Sequence, residues 1–171
     1  MIVQVKNGPM DFQIREPISP LLAGGLKKTN ILMEVQAAQE YTGQQIHAVS
    51  LTSQWETYLN FDTFVDGPGS TVGSRLSGTP MGGMACVSNM GSWANMTGHV
   101  LAASNTFGCG RLAWDPTLTA SEINKEWAAM TFTDARSTAH VHKQSVRRNL
   151  SGDLWFFQPS SGFIEKGSQT G

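Results

Sequence analysis

The chain has 171 residues, of which 40% are hydrophobic and 15% charged, with a formal net charge of −1. That composition excludes a charge-rich disordered chain and leaves enough apolar residues for a packed core. No run of about 20 apolar residues is present, so no membrane-spanning helix is expected. The start, Met1-Ile-Val-Gln-Val-Lys6, lacks the basic segment and cleavage site of a signal peptide.

Ile2 to Lys6 alternates apolar and polar residues and stops at Asn7-Gly8-Pro9, which reads as a strand. A domain rarely begins so abruptly inside a strand, so the chain is expected to be a fragment. Phe12 to Asn30, with Pro17, Pro20, Gly24 and Gly25, reads as a long loop, a feature more often functional than structural. Ile31 to Gln36 is a second apolar run, read as a strand from its short length and the Tyr-Thr-Gly after Glu40.

Leu51, Trp55, Tyr58 and Leu59 fall on one helical face within 47–60. Asp66-Gly-Pro-Gly-Ser70 is a turn, Met84 to Val87 a third buried strand, and 100–112 a helix that carries Gly108 and Gly110. Thr119-Ala-Ser-Glu122 is a capping box, with Leu118 and Ile123 at the staple positions, and it predicts a helix over 120–132. Ile123, Trp127 and Met130 are expected on its inner face, and Trp55 and Trp114 in the core. Trp93 also reads as a packing residue, though a sugar-stacking role is open to it.

Strands alternating with helices imply an α/β fold with a parallel sheet. A whole (β/α)8 barrel needs about 250 residues, so the chain can supply only part of one.

Cys86 and Cys109 define neither a disulfide framework nor a zinc site, and read as buried free thiols with a mutual disulfide left open. Residues 1–133 hold seven Lys/Arg and ten Asp/Glu, a net of −3, whereas 134–171 hold five and three, a net of +2. The basic run is short, and a solvated tail is a better reading than a nucleic-acid contact. His140 and His142 complete no metal site, and His99 reads as a hydrogen-bonded structural residue. Arg15 and Glu16 read as a loop ion pair.

Asp11 and Glu40 each follow a strand-like run and open into a glycine-containing loop. The C-terminal ends of parallel strands are where active sites form. Two acids so placed suggest carboxylate-pair chemistry, of which glycoside hydrolysis is the commonest form. Either acid alone reads as well as a loop or surface carboxylate.

Several strings then become specific. They are Val3-Gln-Val-Lys-Asn-Gly-Pro-Met-Asp-Phe-Gln13, Arg15-Glu-Pro-Ile-Ser-Pro-Leu21 and Gln39-Glu-Tyr-Thr-Gly-Gln-Gln45. Met96-Thr-Gly-His99, Gly110-Arg-Leu-Ala-Trp-Asp-Pro116, Glu126-Trp127 and Met130-Thr-Phe132 follow in order. Together they resemble glycoside hydrolase family 67, the xylan α-glucuronidases.

The resemblance implies the C-terminal half of a (β/α)8 barrel over 1–133. It implies removal of 4-O-methyl-D-glucuronic or glucuronic acid from the terminal xylose of xylo-oligosaccharides, with inversion. The acids matching Asp11 and Glu40 hold the attacking water, one of them as general base, and Lys6 contacts the uronate carboxylate. No cofactor, metal, nucleic acid or membrane is implied. The family's general acid lies on an earlier strand and is expected upstream of Met1, so a non-catalytic carbohydrate-binding remnant, or an inactive product of a gene-model fragment, is the alternative. Residues 134–171 are expected to be a divergent, poorly ordered tail, such as a frameshift or intron read-through would give. Secretion is expected of the parent protein, and family members often dimerise through a C-terminal domain.

Overall fold

A computed structural model of the chain describes residues 1–8, 12, 18–26, 28–38, 50–88, 92, 94, 101–139 and 141. Three strands, β1 (Ile2–Lys6), β2 (Asn30–Gln36) and β3 (Gly83–Val87), form a parallel sheet in the order β1-β2-β3. Two helices, α1 (Thr52–Leu59) and α2 (Val72–Ser77), connect β2 to β3. Two more follow β3, α3 (Ala103–Trp114) and α4 (Ala120–Thr131). The α/β expectation holds at this level: a small parallel sheet with helices. The expected 12–30 loop is broken by a short π-helical turn at Leu21–Gly25, kinked at Gly24, which takes φ 113°. A Cβ at Gly24 would run into the side chain of Val65, so a glycine is required there on both counts.

Alternation divides the sheet into two unlike faces. Val5, Ile31, Met33 and Val35 share one face and are buried. They pack against Trp55, Leu59, Val72, Leu76 and Leu112 from the helices. The opposite face carries Gln4 and Lys6 from β1, Leu32, Glu34 and Gln36 from β2, and Ala85 and Val87 from β3. All of these are exposed or half-buried. β3 was expected to be a buried strand, but none of its residues is buried, because it is an edge strand of this sheet.

A buried polar layer ties the helices together. The Ser50 hydroxyl donates to Asn124 Oδ1 at 2.8 Å, and the Leu51 N–H donates to Asn105 Oδ1 at 2.9 Å. Gly108 on α3 lets the Thr52 side chain of α1 approach, and a Cβ there would strike the Thr52 hydroxyl. The Ala120 N–H, at the start of α4, donates to Glu56 of α1 at 2.9 Å. One of the orphan donors of that helix end is thereby satisfied from a neighbouring helix.

The capping box is present in full. Glu122 N–H donates to the Thr119 hydroxyl at 3.2 Å, and Thr119 N–H donates to the Glu122 carboxylate at 2.9 Å. Those bonds hold the Glu122 carboxyl below the usual glutamate range, the Thr119 hydroxyl contributing most. α2 was not anticipated, because at six residues it is too short to show a helical period. Its start is capped by the Thr71 hydroxyl, which accepts from Ser74 N–H at 3.2 Å.

Four expectations need correction. Trp114 is 86% exposed, since it is the last residue of α3 and projects past the core. Met130 is 63% exposed, leaving Ile123 and Trp127 as the inner face of α4. Cys86 and Cys109 are joined in a disulfide with Cα atoms 6.5 Å apart, and only Cys109 is buried. The reason is register: Cys86 pairs with Val35, so it points to the helix-covered face against which α3 packs. Finally, residues 135–139, in the stretch expected to be disordered, are helical. Asp134 caps them, accepting from Ser137 N–H at 2.7 Å, and the Ser137 hydroxyl, followed by that N–H, lowers its carboxyl pKa. Residues 142–171 lie outside the described residues.

Candidate active site

Lys6 is the last residue of β1 and stands in register with Glu34 of β2, on the wet face of the sheet. Gln4 Nε2 donates to the Glu34 carboxylate at 2.8 Å. Gln4, Lys6, Glu34 and Gln36 thus form a polar cluster at the C-terminal ends of two adjacent parallel strands. Glu34 was missed in the sequence reading. The alternation of Ile31, Met33 and Val35 inward was the signal that places it beside Lys6.

The ammonium of Lys6 lies 4.6 Å from the ring centroid of Phe12. Phe12 is 7% exposed and adopts φ 64°. A left-handed backbone is uncommon for a bulky side chain and costs about 1–3 kcal/mol. The surrounding packing therefore holds this residue where an unconstrained chain would not put it.

Asn7 anchors the end of β1. Its N–H continues the ladder to Glu34 O at 3.0 Å, and its carbonyl accepts from Ser19 N–H at 3.2 Å. The loop carrying Asp11 therefore leaves and returns at one closed point. The Asn7 side chain bonds the Tyr58 hydroxyl, which also accepts from Gln54 Nε2 at 2.9 Å. Burial pushes the Tyr58 hydroxyl above its ordinary pKa, against the opposing effect of those two bonds.

The segment carrying Glu40 is anchored separately at its two ends. It leaves β2 at Ala37, whose N–H donates to Val87 O at 2.8 Å, and returns at Ser50 in the buried polar layer. Both segments leave the same end of neighbouring parallel strands. Asp11 and Glu40 themselves lie outside the described residues, as do Arg15, Glu16, Trp93, His99, His140 and His142.

The end of β3 is fastened too, because the disulfide from Cys86 ties it to Cys109 on α3. A separate cleft of about 280 Å³ is lined by Leu22, Ile31, Leu76, Thr79 and Arg75, among others. Arg75 pairs there with Asp66 at 3.3 Å. Ile31 lies near the start of β2, so this cleft is remote along the strand from the Lys6 end. Among the described residues no group of three His, Cys, Asp or Glu is arranged to hold a metal ion. No helix among them is long and apolar enough to cross a membrane.

Comparison with known proteins gives this strand-end site its context. Residues 1–96 match the glycosyl hydrolase family 67 middle domain, and residues 97–150 match the family 67 C-terminus. The chain belongs to glycosyl hydrolase family 67. The second match carries the family likeness past Phe132, where the motif strings end, and the two segments meet at 96/97.

Among curated relatives, the chain is 45% identical over 164 residues to the probable alpha-glucuronidase A of Aspergillus clavatus. It is 48% identical to that of Neosartorya fischeri and 44% identical to the alpha-glucuronidase A of Emericella nidulans, also over 164 residues. Each comparison covers 90% of this chain and 19% of the relative. The chain spans about a fifth of the length of the curated relatives it matches.

Proposed function

We propose that the chain carries the water-activating side of an inverting α-glucuronidase site. The reaction is hydrolysis of the α-1,2 bond between (4-O-methyl-)D-glucuronic acid and the terminal xylose of glucuronoxylan-derived oligosaccharides. The observation that carries this reading is the common origin of the two acid-bearing loops. They leave the same end of β1 and β2, beside Lys6, in a chain of glycosyl hydrolase family 67. In the full barrel this wet sheet face would line the lumen, and the helices would lie outside.

Asp11 and Glu40 hold and orient one water, and one of them takes its proton as it attacks the anomeric carbon. Lys6 pairs with the sugar's carboxylate. Inversion requires room for water between base and acid, with carboxyl groups about 6.5–9.5 Å apart. The proton donor for the leaving xylose has no match among the residues assigned here. That favours, for the chain by itself, sugar binding without turnover of the natural substrate. An oxidising, extracellular setting is supported by the Cys86–Cys109 disulfide.

A substrate that needs no leaving-group protonation separates these roles. The chain should hydrolyse α-D-glucuronosyl fluoride to the β-anomer of glucuronic acid, read by NMR. Asp11→Asn and Glu40→Gln should each abolish this, while aldobiouronic acid is bound but left intact. Binding of both compounds with no fluoride release would leave only the carbohydrate-binding reading. Release of the α-anomer would sink the inverting assignment.

A further inference from the structure

We propose that the cleft beside α2 is a second ligand site, and that it takes a small hydroxylated carboxylate the size of one sugar acid. The proposal does not rest on the roles given to Lys6, Asp11 and Glu40. Ile31, which lines the cleft, belongs to the helix-covered face near the start of β2, whereas Lys6 ends β1 on the wet face. The sheet therefore stands between the two sites. Leu22 of the Leu21–Gly25 turn and Leu76 of α2 add to the apolar lining. Gly24 lets Val65 pack against that turn, which brings the neighbouring Asp66 to the same cleft. A volume of about 280 Å³ lies just below the usual range of small-molecule sites, which suits one sugar ring and not an oligosaccharide.

The polar groups of the cleft define the ligand. The Arg75 side chain is only 15% exposed, and Asp66 meets it through Nη1 alone, at 3.3 Å. The Nε–H is buried and has no acceptor among the described residues. Leaving a buried cationic donor unmatched is costly. Nε and Nη2 form the edge of a guanidinium that grips a carboxylate side-on through two parallel bonds. A ligand carboxylate that draws this edge toward the cleft supplies the acceptor that the protein does not. The Ser74 hydroxyl donates to Thr71 O at 2.8 Å, and the Thr79 hydroxyl donates to Leu76 O at 3.2 Å. Each has thereby placed its proton and keeps lone pairs that accept from a ligand hydroxyl. One fork of donors, two hydroxyl acceptors and an apolar wall together match a hydroxy acid with a ring-sized carbon body.

Two NMR signals of the 171-residue chain report on the cleft by position: the Arg75 Nε–H and the methyl groups of Ile31. D-Glucuronate is the probe, with D-glucose and acetate as its two halves. Glucuronate should move both signals along one saturable curve. D-Glucose, which lacks the carboxylate, should move neither over the same concentrations. Arg75→Lys keeps the charge and removes the fork, and should weaken glucuronate at this site by about ten-fold or more. Thr79→Val removes an acceptor and no charge. It should weaken glucuronate roughly three- to ten-fold and leave acetate unchanged.

Thr79→Val keeps the test open if Arg75→Lys fails to fold. Cleft signals that stay still throughout the glucuronate titration overturn the site and leave Arg75 and Asp66 as a structural pair. An equal response to D-glucose denies the guanidinium its part. Acetate and glucuronate binding alike, both indifferent to Thr79→Val, would reduce the cleft to a general anion contact and overturn the hydroxy-acid assignment.

Discussion

The two faces of the same three-stranded sheet are built by opposite rules. One carries Val5, Ile31, Met33 and Val35, and is closed by apolar side chains from the helices. The other carries Gln4, Lys6, Glu34 and Gln36, and stays exposed or half-buried along its length. Parallel sheets normally have both faces covered. The difference comes from alternate residues of the same strands, so it costs the backbone nothing to present a dry face and a wet one. The dry face fixes where the strand ends stand. The wet face carries Lys6 and leads into the segments with Asp11 and Glu40, the groups proposed to meet a sugar. Changes on the first should appear as lost stability, and changes on the second as altered ligand recognition.

The largest test of that division is a pair of truncations. Trp55, 1% exposed, is the largest fully buried side chain beneath the dry face. Trp55→Ala should cost about 3–5 kcal/mol in urea unfolding. Gln4→Ala, on the wet face, should change stability by no more than about 0.5 kcal/mol. Comparable losses would show that the wet face is as structural as the dry one.

Next in size is the disulfide that links β3 to α3. It joins residues 23 apart in sequence, and closing a loop of that size contributes about 3 kcal/mol. Dithiothreitol should lower the unfolding midpoint of the unaltered chain and leave Cys109→Ser unmoved, since that variant already lacks the link. A chain indifferent to reductant would detach β3 from the scaffold in this account.

A smaller contrast lies within one helix. Gly108 faces Thr52, and a Cβ there would meet its hydroxyl, whereas a Cβ at Gly110 meets nothing within 4 Å. Gly108→Ala should cost about 1–3 kcal/mol through overpacking. Gly110→Ala should stabilise by up to about 1 kcal/mol, because only helix propensity changes. The thermal midpoints of the two variants should therefore move in opposite directions.

Sequence periodicity made β1, β2, α1 and α4 legible, because each buries one face of a regular repeat. The capping box fixed the start of α4 at Thr119, where local chemistry alone decides. Periodicity could not reveal α2, nor place Trp114, whose exposure depends on where α3 ends relative to its neighbours. The disulfide was open for the same reason: the register of Cys86 with Val35 is a tertiary fact. Near the strand ends, the motif strings gave Lys6 an expected role, whereas Glu34 and Phe12 were given none. Glu34 follows from alternation in β2. Phe12 does not follow from any local pattern, since neither its left-handed backbone nor its place under Lys6 is written in residue type.

The smallest expected effect is at the scaffold's clearest local signal. The Glu122 carboxylate accepts from the Thr119 N–H at 2.9 Å and from its hydroxyl at 2.7 Å, and its pKa is lowered accordingly. A carboxyl whose folded pKa lies below its unfolded value binds protons more readily when unfolded. Its stabilising contribution is therefore fully present above the ordinary glutamate range and is lost as pH falls through the lowered folded value. Asp115 and Asp134 are shifted in the same direction by Thr117 and Ser137, so acid destabilises this helical layer at more than one cap. Glu122→Gln isolates one of them, because glutamine can close a capping box but does not titrate. Between about pH 7 and pH 3 the unaltered chain should lose more stability than Glu122→Gln, with the two converging at the acid end. Parallel decline would mean that the carboxylate at Glu122 gains nothing from its bonds to Thr119. The acid limb would then belong to Asp115 and Asp134.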